Sequence, residues 1–167
     1  MKNFSLLEAV EVSINMEEEG IRFYTLALER MGEGEAGRLF ALLRDKEYDH
    51  INTFRRIHTN LSAKGGSTDA DLYLTDPEVS AFFRAMAESA VFPVKGAAEK
   101  VLATLRTEEE ILQLGMRVEK DSIAFYHELK THSPYPEAAE ALDLIIAEER
   151  RHFRALFDLW KRRTCPS

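Results

Sequence analysis

Six residues of this chain combine types and spacings that suit metal chemistry. Glu17 lies 30 residues before Glu47, and His50 follows Glu47 by three; Glu119 lies 30 before Glu149, and His152 follows Glu149 by three. One offset of 102 residues relates the two sets and also carries Tyr24 onto Tyr126. A single Glu-x-x-His says little, because both residues are ordinary on surfaces. Two of them, each with a partner glutamate at the same distance upstream, are hard to obtain by chance. Carboxylates and imidazoles without a thiolate form a donor set that suits iron or manganese.

Helical phase gives the spacing its meaning. Val10, Ile14, Glu17, Ile21, Tyr24 and Leu28 recur at steps of three and four, one stripe of an amphipathic helix. Phe40, Leu43, Glu47, His50, Phe54, Ile57 and Leu61 form a second stripe, Leu112, Met116, Glu119, Ile123 and Tyr126 a third, and Leu142, Ile145, Glu149, His152, Leu156 and Leu159 a fourth. The glutamates therefore fall where leucines would otherwise pack. Unpaired carboxylates are very costly to bury, and no Lys or Arg lies on the central stripes to pair with them. Two divalent ions would balance four carboxylates. A glutamate from each of two helices plus Glu-x-x-His from each of two more is the arrangement of di-metal four-helix bundles. Tyr24 and Tyr126, two turns beyond Glu17 and Glu119, can hydrogen-bond ligand carboxylates or serve as core tyrosines. Glu18, Glu19, Asp49 and Glu148 read as surface charges, as do His58, His127 and His132.

The elements that must position these residues are four long helices. Ser5-x-x-Glu8 and Thr107-x-x-Glu110 are capping boxes, again 102 residues apart. The first helix is expected over 6–31, ending near Gly32 and Gly34, with an antiparallel partner after a short turn. A loop is expected from Ser62 to Asp71. Asp76-Pro77 suits a helix start carrying Phe82, Phe83, Met86 and Ala90 along one side of the bundle. Pro93 should interrupt it, and a short helix from about Ala97 to Leu105 should follow. The stretch 62–106 is too long for a hairpin turn and suits a crossover running the length of the bundle. Ser133-Pro134-Tyr135-Pro136 should break the last two helices apart. The expected fold is all-α: a single domain over 1–167, a four-helix bundle made of two helical hairpins joined by that crossover.

Length and composition agree with this. At 167 residues the chain can bury a substantial core, and 45% hydrophobic with 31% charged residues is an ordinary soluble balance. A formal charge of -7 argues against nucleic acid as a partner. No apolar run approaches the roughly 20 residues that span a bilayer, so no membrane partner is expected. Cys165 is the sole cysteine, which excludes an internal disulfide and fits a cytoplasmic location.

Glu17-x-x-Gly20-x-x-x-Tyr24, Glu47-x-x-His50, Glu119-x-x-Ser122-x-x-x-Tyr126 and Glu149-x-x-His152 resemble the di-iron domain of the rubrerythrin family, within the ferritin-like superfamily. The resemblance covers about residues 5–160. It implies that Glu17, Glu47, His50, Glu119, Glu149 and His152 are metal ligands, with Glu47 and Glu149 bridging two iron ions; manganese or a mixed pair is the alternative. It implies a ferritin-like fold, a homodimer and reduction of hydrogen peroxide. Rubrerythrins take electrons through a rubredoxin domain, which needs two cysteine pairs. Here a separate donor such as a rubredoxin is expected. Peroxide-reducing members also carry a further glutamate three residues after the third-helix ligand, where this chain has Ser122. The functional expectation is a di-iron oxidoreductase acting on peroxide or dioxygen; the alternative is an iron-binding, iron-buffering protein without turnover. Phe82-Phe83 is a candidate dimer face, or simply closes one side of the bundle.

Overall fold

A computed structural model describes residues 4–64 and 76–165. Their regular structure consists of α1 (Leu6–Met31), α2 (Glu35–Lys64), α3 (Pro77–Ser89), α4 (Ala97–Leu102), α5 (Glu108–His132) and α6 (Pro136–Thr164). Both expected capping boxes form. Ser5 Oγ accepts the Glu8 amide while the Glu8 carboxylate accepts the Ser5 amide, and Thr107 and Glu110 repeat the exchange at α5. Each box satisfies two of the amides that a helix start leaves without an internal partner.

The turn between α1 and α2 is set by two glycines. Gly32 has φ +67, a conformation that disfavours a side chain. A Cβ at Gly37 would lie 1.7 Å from the Gly32 carbonyl oxygen, so only glycine lets α2 begin this close to the end of α1. Pro136 stands in the first turn of α6, where its missing amide costs nothing.

The long helices form a closed ring. The hairpin partners α1 and α2 pack together, as do α5 and α6; α1 also packs on α5, and α2 on α6. The crossover covers the α1–α5 face, with α4 against α1 and α3 against α5. The interior has two apolar clusters. One holds Phe54, Phe83, Phe125 and Leu142; the other holds Phe23, Phe40, Leu43 and Leu156. The 102-residue offset exchanges them: Phe23 and Phe40 correspond to Phe125 and Leu142.

Two expectations about boundaries change. Ser62 begins no loop, because α2 continues to Lys64; the remainder of that expected loop lies outside the described residues. The short helix stops at Leu102 rather than Leu105. There the chain unwinds through three-residue turns, from Thr104 to Val101 and from Leu105 to Leu102, and the Arg30 guanidinium takes the carbonyls of Leu102 (3.2 Å) and Leu105 (2.7 Å). Phe82 and Phe83 also part company. Phe83 is buried against Phe4 and Phe125, closing the bundle, while Phe82 is exposed. Among the described residues no helix is long and apolar enough to cross a membrane.

Candidate metal centre

Glu17 on α1, Glu47 and His50 on α2, Glu119 on α5, and Glu149 and His152 on α6 all sit on inward stripes and are at most 6% exposed. They form two overlapping groups, Glu17–Glu47–His50–Glu149 and Glu47–Glu119–Glu149–His152. Within each group one donor atom per residue lies within 4.8 Å of the others. Glu47 and Glu149 belong to both.

Both histidines turn Nδ1 inward. His50 Nδ1 is 2.8 Å from Glu47, 3.4 Å from Glu149 and 3.6 Å from Glu17. His152 Nδ1 is 2.8 Å from Glu149, 3.4 Å from Glu47 and 3.7 Å from Glu119. The rings lie nearly parallel, 5.7 Å apart. Tyr24 and Tyr126 reach across the bundle: Tyr24 donates its hydroxyl to Glu119, and Tyr126 donates to Glu17. Each hairpin thus orients a carboxylate of the other.

Electrostatics show a cluster built for more positive charge than the protein supplies. Burial and the neighbouring Glu47 push the Glu17 carboxyl up to about 8, and burial and Glu149 push Glu119 well above the carboxylate range. Burial alone would push His152 down, but the close carboxylates of Glu119, Glu149 and Glu47 outweigh it and raise the imidazole to about 12; those of Glu149, Glu17 and Glu47 likewise raise His50. Burial and the adjacent carboxylates also raise both tyrosines well above their ordinary value. Even so, His152 Nδ1 and Glu149 Oε2, although 2.8 Å apart, do not meet in hydrogen-bonding geometry, and both are buried without a hydrogen-bond partner. Orphaned buried atoms are costly, and a metal ion between them removes the cost. The donor set and these orphans fit a metal ion.

Three acids near the centre have roles that the sequence hides. Glu19 is not a surface charge. It is 1% exposed, and its carboxylate accepts the amides of Gly96 and Ala98, both at 2.9 Å. Asp121, its counterpart at the 102-residue offset, accepts the amide of Val91 at 2.8 Å. The crossover is thereby clipped onto the α1–α5 face at two places. Glu148 also departs from the surface reading: its Oε2 lies 2.9 Å from His50 Nε2, the ring atom facing away from the cluster. Burial would raise the Glu148 carboxyl, but the bond to His50 holds it below its usual range. Glu18 and Asp49 are solvent-exposed as expected. His58, His127 and His132 pair peripherally, with Glu11, Arg150 and Glu128. The shared acidity at positions 19 and 121 was a signal for the clips, but it points nowhere until the crossover is placed.

Known proteins agree with this geometry. A family model for rubrerythrin matches residues 96–165, the half containing Glu119, Glu149 and His152. A solved structure of a candidate ferritin-like diiron-carboxylate protein from Thermotoga maritima superposes with a TM-score of 0.74 at 27% identity, over 98% of this chain and 99% of that one. The chain is a rubrerythrin-like, ferritin-like protein. An uncharacterized protein of Archaeoglobus fulgidus is 42% identical over 53 residues, 32% of this chain and 82% of the relative. In this rubrerythrin-like chain the buried carboxylate–histidine cluster is a metal-binding centre. The family match falls on the second hairpin, and the 102-residue repeat extends the same ligand pattern to the first.

Proposed function

We propose that the centre holds two iron ions and that the protein reduces hydrogen peroxide or dioxygen with electrons from a separate donor. The observation that supports this reading is the sharing of Glu47 and Glu149 between two four-residue groups, as two adjacent ions with common carboxylates would need. A ferrous pair would supply two electrons, taking hydrogen peroxide and two protons to two waters.

The protein's own contribution is position and dryness. Glu17, Glu47, His50 and Glu149 would hold one ion, and Glu47, Glu119, Glu149 and His152 the other. Tyr24 and Tyr126 fix the orientation of Glu119 and Glu17. The apolar clusters on either side exclude bulk water. Within the 167 residues Cys165 is the sole cysteine, so an iron–cysteine electron carrier has to lie elsewhere.

The test is anaerobic reconstitution with Fe(II), followed by rapid mixing with peroxide or dioxygen while the visible spectrum is recorded. Two irons per chain, fast oxidation and repeated turnover with added rubredoxin and its reductase are expected. Oxidation that stops after one equivalent despite a competent reductase would leave an iron-buffering protein instead. Exclusive uptake of Mn(II) would remove the iron assignment.

A further inference from the structure

The 102-residue repeat gives each outer face of one hairpin a counterpart on the other, and on the outer side of α5 and α6 the two halves differ. Arg150, Arg154, Phe157 and Lys161 recur along α6 at steps of four and three, while Arg117 and Lys120 lie one turn apart on α5. The two helices meet along this line. The Lys120 ammonium stands 5.3 Å from the centre of the Phe153 ring, and the Arg150 guanidinium lies 3.4 Å from His127 Nε2. All five cations are exposed, and among the described residues none makes an ion pair. Elsewhere Arg22, Arg44, Lys130 and Arg162 each pair with a carboxylate.

An apolar row runs beside these charges. Phe153 stacks 6.4 Å from Phe157, which lies 5.9 Å from Trp160, and Phe157 is 37% exposed. The equivalent places in the first half hold Ile51, Arg55 and His58. The places equivalent to the five cations hold Asn15, Glu18, Tyr48, Asn52 and Thr59, with no cation among them. Both hairpins build the same fold around the same cluster, so packing does not require a basic, aromatic face on the second. Between Arg150 and Lys161 the sole acid is Asp158, on a chain whose net charge is -7. The face is thus a local reversal of charge. It also backs onto the metal centre, because Phe153 directly follows His152.

Building on the proposed function, we infer that the outer α5–α6 face is where the protein docks its reductant, an acidic protein carrying a one-electron iron–cysteine centre. Carboxylates of such a partner pair with the unpaired cations and steer the encounter, while Phe157 and its neighbours supply an apolar contact. Electron-transfer complexes use small, transient interfaces, and a face of this mixed character suits one. The electron enters beside His152. Two reduced partners, docking in turn, give one electron each; with two protons these convert one hydrogen peroxide to two waters and leave two oxidised partners. A second copy of this chain is a poor occupant, since a symmetric contact through the same face sets like charges against each other.

The experiment uses the iron-loaded chain, with an acidic rubredoxin as probe. Binding is read by isothermal titration with the redox-inert zinc form of the rubredoxin. Electron delivery is read by the absorbance rise as the reduced iron form is oxidised by the peroxide-treated chain. Both are expected to weaken on the order of tenfold as ionic strength rises from about 0.01 to 0.1 M. Arg117→Glu, Arg154→Glu and Lys161→Glu combined should weaken both by roughly tenfold or more at low salt, with iron content and peroxide oxidation of the ferrous chain unchanged. Arg56→Glu, Lys95→Glu and Lys100→Glu combined alter the net charge equally on other surfaces and should weaken binding by no more than about threefold. Phe157→Ser should weaken binding roughly three- to tenfold while keeping its salt dependence. No binding by the wild-type chain, equal weakening in the two triple variants, or wild-type binding in the first would overturn the docking site. So would tighter binding of this face to double-stranded DNA or to phosphatidylglycerol vesicles. If binding follows the face as described but peroxide leaves the wild-type ferrous chain unoxidised, the docking surface stands and the proposed reaction falls.

Discussion

Glu19 and Asp121 stand at equivalent places in the two halves of the chain, and each clips the crossover to the bundle through backbone amides. Glu19 takes Gly96 and Ala98; Asp121 takes Val91. Neither acid belongs to the metal cluster, yet both hold the roof above it. Replacing Glu19 by Ala leaves two amides unpaired, one of them buried, and is expected to destabilise the protein by about 2 kcal/mol. Asp121→Ala should cost less, about 1 kcal/mol, since it loses one hydrogen bond at a half-buried position. Denaturant unfolding measures both. Hydrogen exchange should speed up at Val91 in the second variant and at Gly96 and Ala98 in the first, with the α6 core unchanged. Uniform acceleration through the whole bundle would contradict local clipping.

The metal-free centre stores protons. Burial and neighbouring carboxylates favour the protonated forms of Glu17 and Glu119, and the surrounding carboxylates favour protonated His50 and His152; such protons must leave before these groups act as ligands. Filling the centre is therefore expected to release protons at pH 7, measurable with an indicator dye in weak buffer. Metal uptake without proton release would contradict this bias toward the protonated forms.

The same protons fix the pH dependence of metal-free stability. Glu17 keeps its proton up to about 8 when folded, against 4.5 for an exposed glutamate; His152 keeps its proton up to about 12, against 6.5. The folded state then binds more protons than the unfolded one. The resulting stabilisation is complete below the unfolded values and is lost as pH rises through the folded ones. Thermal midpoints of the metal-free chain should fall steadily from pH 5 to pH 9. With metal bound the trend should reverse over the lower part of this range, because protons then compete with the ions.

The two histidines differ in what holds them. Glu148 anchors His50 at 2.9 Å, but the corresponding residue in the first half is Lys46, which cannot accept a hydrogen bond from His152. A carboxylate behind an imidazole fixes the ring and strengthens it as a donor to metal. Glu148→Gln is expected to weaken one of two binding steps by roughly ten- to a hundredfold and to leave the other alone. Competition titration with a chromophoric chelator resolves the two steps. Equal weakening of both would contradict this asymmetry.

Much of this molecule was legible before any coordinates. The repeat, the inward phase of Glu17, Glu47, Glu119 and Glu149, and both capping boxes depend on neighbours three or four positions apart, and local helical geometry preserves such spacings. The crossover was less legible. Ala97 to Leu105 carries a helical pattern, yet Arg30, more than 70 positions away, takes the carbonyls where it unwinds. Glu19 and Glu148 lie beside the central stripes, and nothing in their own helices distinguishes them from solvated acids.

The sequence by itself determined four helices with carboxylates and imidazoles on their buried faces, since helical periodicity alone dictates which side each residue takes. Only the tertiary structure decided how the two hairpins face each other, α1 on α5 and α2 on α6, that Tyr24 and Tyr126 serve the opposite hairpin, and that Glu148 reaches His50. It also decided that the crossover roofs the α1–α5 face. These are contacts between residues from about 30 to more than 100 positions apart, made when apolar faces pack; no local pattern in the chain records which of them form.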